Sequence, residues 1–131
     1  MAHVIEMGPE ADIRLLHLQG ELLREDLMCD DELGLNSGEP MYVLVDASEM
    51  DIGLPAGFMD GKRESFFMNP NLRHVAVYST SWLLSSAAKM LGKLTRQREK
   101  LSVHDSREAA IAHLVQLAAE AKRQQDADAA S

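Results

Sequence analysis

Three short, apolar segments recur between stretches of helical spacing, and this alternation constrains the fold more than any other feature of the sequence. They are residues 41–45 (M-Y-V-L-V), 75–78 (V-A-V-Y) and 101–104 (L-S-V-H). The first is continuously apolar and short, as a strand covered on both faces would be. The second is interpreted as another buried strand, and the third as the last strand. Strands that alternate with helices favour a mostly parallel sheet with right-handed crossovers.

Two further strand patterns precede the alternating units. Residues 4–7 and 13–18 are separated by a short stretch that begins with Gly8-Pro9, and the second ends near Gly20. So close a pair predicts an antiparallel hairpin, with its first strand at an edge of the sheet. The order predicts an α/β fold with a mostly parallel five-stranded sheet, an antiparallel first edge strand and about four helices.

Segments with helical spacing separate the later strands and follow the last one. Helices are predicted over residues 21 to about 33, 55 to about 68 and 82 to about 98, and after residue 105. Asp105 and Glu108 have the spacing of a capping box, which marks the start of the last helix. Beyond Lys122 the sequence has no apolar face, so residues 122–131 are expected to fray. At 131 residues the chain fits a single domain spanning 1–131.

Charge and residue types exclude several classes of function. The formal net charge is -8, which repels polyphosphate and argues against a nucleic-acid partner. Cys29 is the single cysteine, and the five histidines form no i, i+4 pair, so no metal site is predicted. No complete catalytic or cofactor motif is present, and we expect neither catalytic residues nor a bound cofactor.

Hydropathy indicates a protein of the cytoplasm. The N-terminal residues carry Glu6 and Glu10 and lack the apolar core of a signal peptide. No later stretch approaches the roughly 18 apolar residues that a membrane span requires. We therefore predict a cytoplasmic location and no membrane span.

Polar residues follow three of the predicted strands. Parallel strands share a carboxyl edge, which is where open α/β sheets commonly bind ligands. We therefore predict a strand-exit rim that could hold a small anion, formed by Asp46, Ser48, Ser79, Thr80, Ser81 and His104. The alternative, which we favour for Asp46 and Ser48, is that both only shape a turn. A hydrolase triad built from His104, Asp105 and a serine is disfavoured, because no nucleophile elbow motif is present.

The predicted helix after Pro55 is unusual in composition. Gly57 and Gly61 each lower helix propensity by roughly 1 kcal/mol relative to alanine. Around them, and at the start of the next predicted helix, lie large apolar residues that we predict as a ligand or partner surface: Phe58, Met59, Phe66, Phe67 and Trp82. Plain core packing is the alternative interpretation, and the one we favour.

Basic residues concentrate on the later part of the helix predicted from residue 82. They are Lys89, Lys93, Arg96, Arg98 and Lys100. Cations near a helix C-terminus are favourable in themselves, so a solvated face is the simplest interpretation. The alternatives are an acidic partner, the acidic first helix of a second copy in a homodimer, or anionic lipid headgroups.

The order of elements resembles the SpoIIAA-like branch of the STAS superfamily over about residues 3–120. The motifs that carry the resemblance are V-L-V-D-A-S, R-H-V-A-V-Y-S-T-S-W and K-L-S-V-H-D-S-R-E-A-A-I-A-H-L. That family includes anti-sigma-factor antagonists and domains likened to CRAL-TRIO lipid carriers. Antagonists place a phosphorylatable serine where this chain has D-I-G-L-P-A-G, residues 51–57, which contains neither serine nor threonine.

The resemblance implies a non-enzymatic regulatory or protein-interaction domain that lacks the usual phosphorylatable serine. Its partner would dock on the helices predicted from residues 55 and 82 and on the loops before them. The alternative is a carrier or sensor of a small apolar or lipid-like ligand. A homodimer is a further expectation.

Overall fold

The protein was studied as a computed structural model, which describes residues 2–10, 12–20, 30–36, 38–50, 69–79 and 100–130. Five strands form one sheet whose spatial order follows the chain order. The strands are β1 (Ala2–Met7), β2 (Ile13–Gly20), β3 (Met41–Met50), β4 (Leu72–Tyr78) and β5 (Leu101–His104). The structure confirms a mixed five-stranded α/β sheet with β1 antiparallel at one edge and β2 to β5 parallel.

The central strand β3 is longer than the sequence predicts. We expected it to end at Val45, but it continues to Met50 and stays paired with β2 through Gln19 and Gly20. The pairing shifts between His17 and Gln19, because three steps along β3 match two along β2. This β-bulge lets the strand continue past Asp46. Asp46 therefore lies within β3 and does not end it.

A single helix, α1 (Arg107–Ala130), is present among the described residues, and it covers one face of the sheet. Ala110, Leu114 and Ala118 recur every fourth residue and are buried against that face. The sheet residues beneath them are Ile13, Leu15, Tyr42, Leu44 and Ala76. Burial of a leucine such as Leu114 contributes about 1.5 to 3 kcal/mol.

Both ends of α1 differ from the predicted ones. The expected capping box of Asp105 and Glu108 is not the cap: Ser106 Oγ accepts a hydrogen bond from the amide of Ala109 at 3.1 Å, so Ser106 is the N-cap residue. At its other end the helix continues to Ala130 instead of fraying after Lys122. Residues 121–127 are all exposed, and alanine, glutamine and arginine sustain a helix without an apolar face.

The opposite face of the sheet carries the larger apolar cluster. Its strand residues include Leu16, Val43, Val45, Val75 and Val77, and all are buried. Leu33 and Leu35, in the turn segment 30–36, are fully buried in the same cluster. Residues 30–33 are turn, so the first predicted helix does not extend to Leu33. The rest of that helix and the helices predicted over 55–68 and 82–98 lie outside the described residues.

Side-chain amides join the loops at the amino end of the parallel strands. Asn69 donates to Asp30 Oδ2 at 2.8 Å and accepts from the amide of Asn71 at 2.9 Å. Asn71 donates to the carbonyl of Leu35 at 2.5 Å, and its own carbonyl accepts from the amide of Met41 at 2.9 Å. The loops before β3 and β4 are thereby held in one arrangement, which fixes where both strands begin.

Candidate functional site

One row of polar residues crosses the carboxyl end of the parallel strands. The register pairs His17 with Asp46, Asp46 with Tyr78, and Tyr78 with His104. Paired positions share a face of a sheet, and so do residues two positions apart on one strand. The residues two positions before this row, such as Leu15 and Leu44, are packed under α1. The row therefore lies on the face that α1 covers. The predicted carboxyl rim therefore brings Asp46 and His104 to one edge, two strands apart.

Asp46 is held by its neighbours within the β-bulge. Its residue surface is 7% exposed, and its Oδ1 accepts hydrogen bonds from the Ser48 amide at 3.0 Å and from Ser48 Oγ at 2.6 Å. Its Oδ2 lies 3.3 Å from His17 Nδ1. Burial alone raises the pKa of Asp46, but the two Ser48 hydrogen bonds and His17 outweigh it, so the pKa lies below the ordinary value.

The order of these contacts does not match that of a hydrolase triad. In a triad the imidazole lies between the hydroxyl and the carboxylate. Here the carboxylate of Asp46 lies between Ser48 and His17, so it accepts from both. His17 Nε2 lies 3.4 Å from Glu49 Oε2, which also accepts from Gln19 at 3.0 Å. The group fixes the bulge and has no imidazole positioned to deprotonate Ser48.

A cleft of about 200 Å³ opens beside His17 and Asp46. Leu15, Leu16 and Leu44 supply its apolar lining. Two charged residues from distant parts of the chain complete it: Glu6 from β1 and Arg107 from the first position of α1. Both are exposed. The cleft therefore combines an apolar lining with one group of each charge.

Three histidines and a serine form a second polar cluster, between α1 and strands β4 and β5. Ser102 Oγ lies 2.8 Å from His74 Nε2 and 2.7 Å from His104 Nε2, and so it bridges the two rings. The His113 ring, on α1, lies 5.2 Å from the His74 ring and 5.1 Å from the His104 ring, centroid to centroid. We call His74, Ser102, His104 and His113 the histidine cluster.

Electrostatics favour the neutral form of one member of this cluster. Burial, followed by the nearby His113, lowers the pKa of His104 below its ordinary value, while Asp105 opposes the shift. His104 was predicted as part of an anion-holding rim. In the structure its Nε2 instead contacts Ser102 Oγ, within the histidine cluster.

Neither this cluster nor the cleft was predicted from the sequence. His74, His104 and His113 are single histidines without a spacing motif, and they meet only through strand register and helix packing. One signal was present: Ser102 and His104 alternate with Leu101 and Val103, which predicts a polar and an apolar face of β5. For the cleft no signal was present, since Glu6 and Arg107 lie a hundred residues apart.

The remaining predicted site residues fall in two groups. Ser79 follows β4 and is buried, with 4% of its surface exposed. The others lie outside the described residues, so their placement stays a prediction: Thr80, Ser81, Phe58, Met59, Phe66, Phe67 and Trp82. The rim is therefore described at Asp46, Ser48, Ser79 and His104.

The described residues contain neither a group suited to a metal ion nor a helix suited to a membrane span. No group of three or more histidine, cysteine or carboxylate side chains in this part of the chain is placed to hold a metal ion. Within the same ranges, no helix is both long and apolar enough to cross a membrane.

Comparisons with known proteins bear on the fold. No family model matches the sequence, and no curated protein matches it significantly. Among solved structures, the chain is similar to an uncharacterized protein of the DUF3478 family with a SpoIIAA-like fold, from Shewanella loihica PV-4. The TM-score is 0.56 at 18% identity, over 86% of this chain and 92% of that one. This likeness confirms the SpoIIAA-like fold that the sequence motifs predicted.

Proposed function

We propose that this chain is a non-enzymatic, STAS-like regulatory or protein-interaction domain that binds a partner at the carboxyl end of its sheet. The observation that carries the proposal is the cleft beside His17 and Asp46. It lies at the edge where open α/β sheets bind ligands, and the polar group next to it is engaged in fixing the strand.

The arrangement of Asp46 supports binding over catalysis. Both carboxylate oxygens have contacts, with Ser48 and with His17. A nucleophilic serine needs an adjacent base, and that base needs a further group to orient it. At this edge the carboxylate of Asp46 lies between Ser48 and His17. These residues therefore stabilise the rim, and the cleft is the part that binds the partner.

The volume and charges of the cleft favour a partner side chain over a lipid-like ligand. About 200 Å³ lies below the roughly 300 to 1,000 Å³ of typical small-molecule sites. Glu6 and Arg107 supply opposite charges at the cleft, which suits a polar segment of a protein that inserts one apolar side chain among Leu15, Leu16 and Leu44. Phosphorylation of the usual serine is not part of this proposal, because residues 51–57 contain none.

Capture from native lysate tests this proposal. The wild-type chain is immobilised, and bound proteins and extracted lipids are both identified by mass spectrometry. We expect a recurring protein that is captured at least tenfold less by Arg107→Glu, because a reversed charge at the cleft repels the partner group that Arg107 attracts. Arg123→Glu is the matched control, since Arg123 is exposed on the part of α1 beyond the sheet contacts.

Three outcomes would contradict the proposal. Equal loss of capture in both arginine variants would mean that the helix surface charge, and not the cleft, drives binding. Retention of the partner by Arg107→Glu would remove the cleft from the binding surface. Recovery of a co-purified amphiphile without a protein partner would favour the lipid carrier and would direct attention to Phe58, Met59, Phe66 and Phe67.

A further inference from the structure

The histidine cluster can satisfy its hydrogen bonds in the neutral state through one bridging hydroxyl. Ser102 Oγ lies within hydrogen-bond distance of His74 Nε2 and of His104 Nε2. A hydroxyl donates one hydrogen bond and accepts others. In the neutral state one Nε2 atom can donate to Ser102 Oγ while the other accepts from it. The accepting ring is neutral in this arrangement.

Protonation disrupts this arrangement and adds repulsion. An imidazolium ring donates from both nitrogens, so a second charged Nε2 forces the Ser102 proton away from the bridge. The His113 ring lies 5.1 Å from the His104 ring and 5.2 Å from the His74 ring, so a positive charge on His113 and one on either of the other rings repel across that distance. The histidines lie on separate elements, and the repulsion therefore acts between α1 and the sheet.

Among the residues that the structure describes, one carboxylate opposes the lowering of the His104 pKa. Other described ionisable side chains on the packed elements, or next to them, are Tyr42, Asp46 and Glu49 on β3, Arg73 and Tyr78 on β4, Lys100 and Asp105 beside β5, and Arg107, Glu108, Glu120, Lys122, Arg123 and Asp126 on α1. Asp105 is the carboxylate whose charge acts on His104, and it is exposed to solvent. Its influence is therefore screened by water and salt.

We propose that the histidine cluster is a pH-sensitive latch that holds α1 against β4 and β5 when neutral and weakens that contact when protonated. The direction of the pH dependence follows from the linkage between protonation and docking of α1. The pKa of His104 lies below its ordinary value of 6.5 in the folded protein, so its contribution to docking is complete above that value. The contribution is lost as the pH falls from the ordinary value through the folded value.

Release of α1 would also alter the cleft, because Arg107 is both the first residue of α1 and part of the cleft lining. Partner binding would then weaken in mild acid. This consequence depends on the proposed function, whereas the latch itself does not. Amide hydrogen exchange measures the protection of α1 directly and therefore tests the latch independently of partner binding.

Amide hydrogen exchange, followed by mass spectrometry at about pH 7.5 and about pH 5.5, tests the latch. Exchange times are scaled for the intrinsic pH dependence. We expect protection of peptides from residues 107–120 to fall about tenfold in acid, which corresponds to about 1.4 kcal/mol of lost docking free energy. Protection of peptides from β2 and β3 should stay unchanged.

Variants assign the effect to the cluster. His104→Gln keeps a polar group near the Nε2 position without titrating, and His113→Gln removes the third ring, so each should reduce the acid effect to less than about threefold. His17→Gln is the matched control, because His17 contacts Asp46 and Glu49 and not the cluster. It should retain the wild-type effect.

Any of three exchange results would overturn the latch. Equal protection of α1 at both pH values, a full acid effect in either cluster variant, or an equal loss of protection across β2 and β3 each contradicts it. Should the variants fail to fold, the NMR titration of the wild-type imidazoles decides. A His104 midpoint below the ordinary histidine value supports the latch, and a midpoint at or above that value overturns it.

Discussion

The two ends of the parallel strands use polar side chains in opposite ways. At the amino end, Asn69 and Asn71 bond to backbone groups and to Asp30, so the loops before β3 and β4 are tied to each other. At the carboxyl end, Asp46 bonds to Ser48 two residues away within its own strand, and a cleft remains open beside it. The first arrangement closes an edge, and the second stiffens an edge at which the described residues leave a cleft.

The polar residues that set the fold are those that join distant segments. A hydrogen bond between segments that are distant in sequence fixes their relative position, whereas a bond over two residues fixes only a local bend. Asn71 links the loop before β4 to the carbonyl of Leu35, 36 residues earlier. Polar substitutions at the amino end should therefore cost more stability than substitutions at the exposed parts of the carboxyl end.

Asn69→Ala should have the largest effect on stability. The change removes the bonds to Asp30 and to the Asn71 amide, together with a longer, exposed one to Asn36 at 3.4 Å, and leaves the backbone bonds of residue 69 in place. We expect the free energy of unfolding to fall by about 2 kcal/mol, from two lost hydrogen bonds in a partly buried site. Urea denaturation measures it.

The matched control for Asn69→Ala is Asn36→Ala. Asn36 belongs to the same network but is exposed, so its loss should lower the free energy of unfolding by less than about 0.5 kcal/mol. Similar costs for the two variants would mean that the network does not close the amino end.

Ser48→Ala should have an intermediate effect that depends on pH. It removes one donor to the buried Asp46 carboxylate and should cost about 1 kcal/mol at neutral pH. Because the folded pKa of Asp46 is lowered, its contribution is present above the unfolded value and is lost as the pH falls through the folded value. The cost of Ser48→Ala should therefore shrink toward zero in strong acid.

Ser106→Ala provides the comparison for that pH profile. It also removes one serine hydroxyl, here the N-cap of α1, and should cost about 1 kcal/mol. Its hydrogen bond joins a hydroxyl to the Ala109 amide, and neither group titrates in this range. In acid the stability of Ser48→Ala should approach that of the wild type, whereas Ser106→Ala should stay less stable by the same amount. Parallel curves for the two variants would contradict the role given to Asp46.

Strand positions could be predicted from the sequence because burial leaves continuous apolar runs in β3 and β4 and alternating apolar residues in β5. Val75, Val77, Leu101 and Val103 lie where the pattern placed them, and β5 has the predicted bounds. The extension of β3 to Met50 could not be predicted, since it depends on a bulge opposite β2 and residues 46–50 include Asp46, Ser48 and Glu49. Pairing with a neighbouring strand overrides local propensity there.

The candidate site was predicted only in part. That Asp46 and His104 reach the same edge followed from the parallel order of strands. The contact of His104 with Ser102, by contrast, depends on which face each β5 residue takes. The choice of Ser106 over Asp105 as the cap of α1 depends on where the chain leaves β5, and both residues are common at caps. Local sequence could not distinguish them.

Glu49→Gln should have the smallest effect on the free energy of unfolding. Glu49 and Asp46 both contact His17, but the Glu49 side chain is 61% exposed and that of Asp46 is 10% exposed. An exposed pair contributes little because water and salt screen it. We expect the free energy of unfolding to change by less than about 0.5 kcal/mol.

Asp46→Asn is the matched change for Glu49→Gln, because each converts a carboxylate beside His17 into an amide. It should cost about 1 to 1.5 kcal/mol, since an amide replaces a buried carboxylate that accepts from Ser48 and His17. Chemical denaturation at low and high salt compares the two. If Glu49→Gln were as costly as Asp46→Asn at both salt concentrations, the exposed rim would itself be a structural element, and the carboxyl end would be as closed as the amino end.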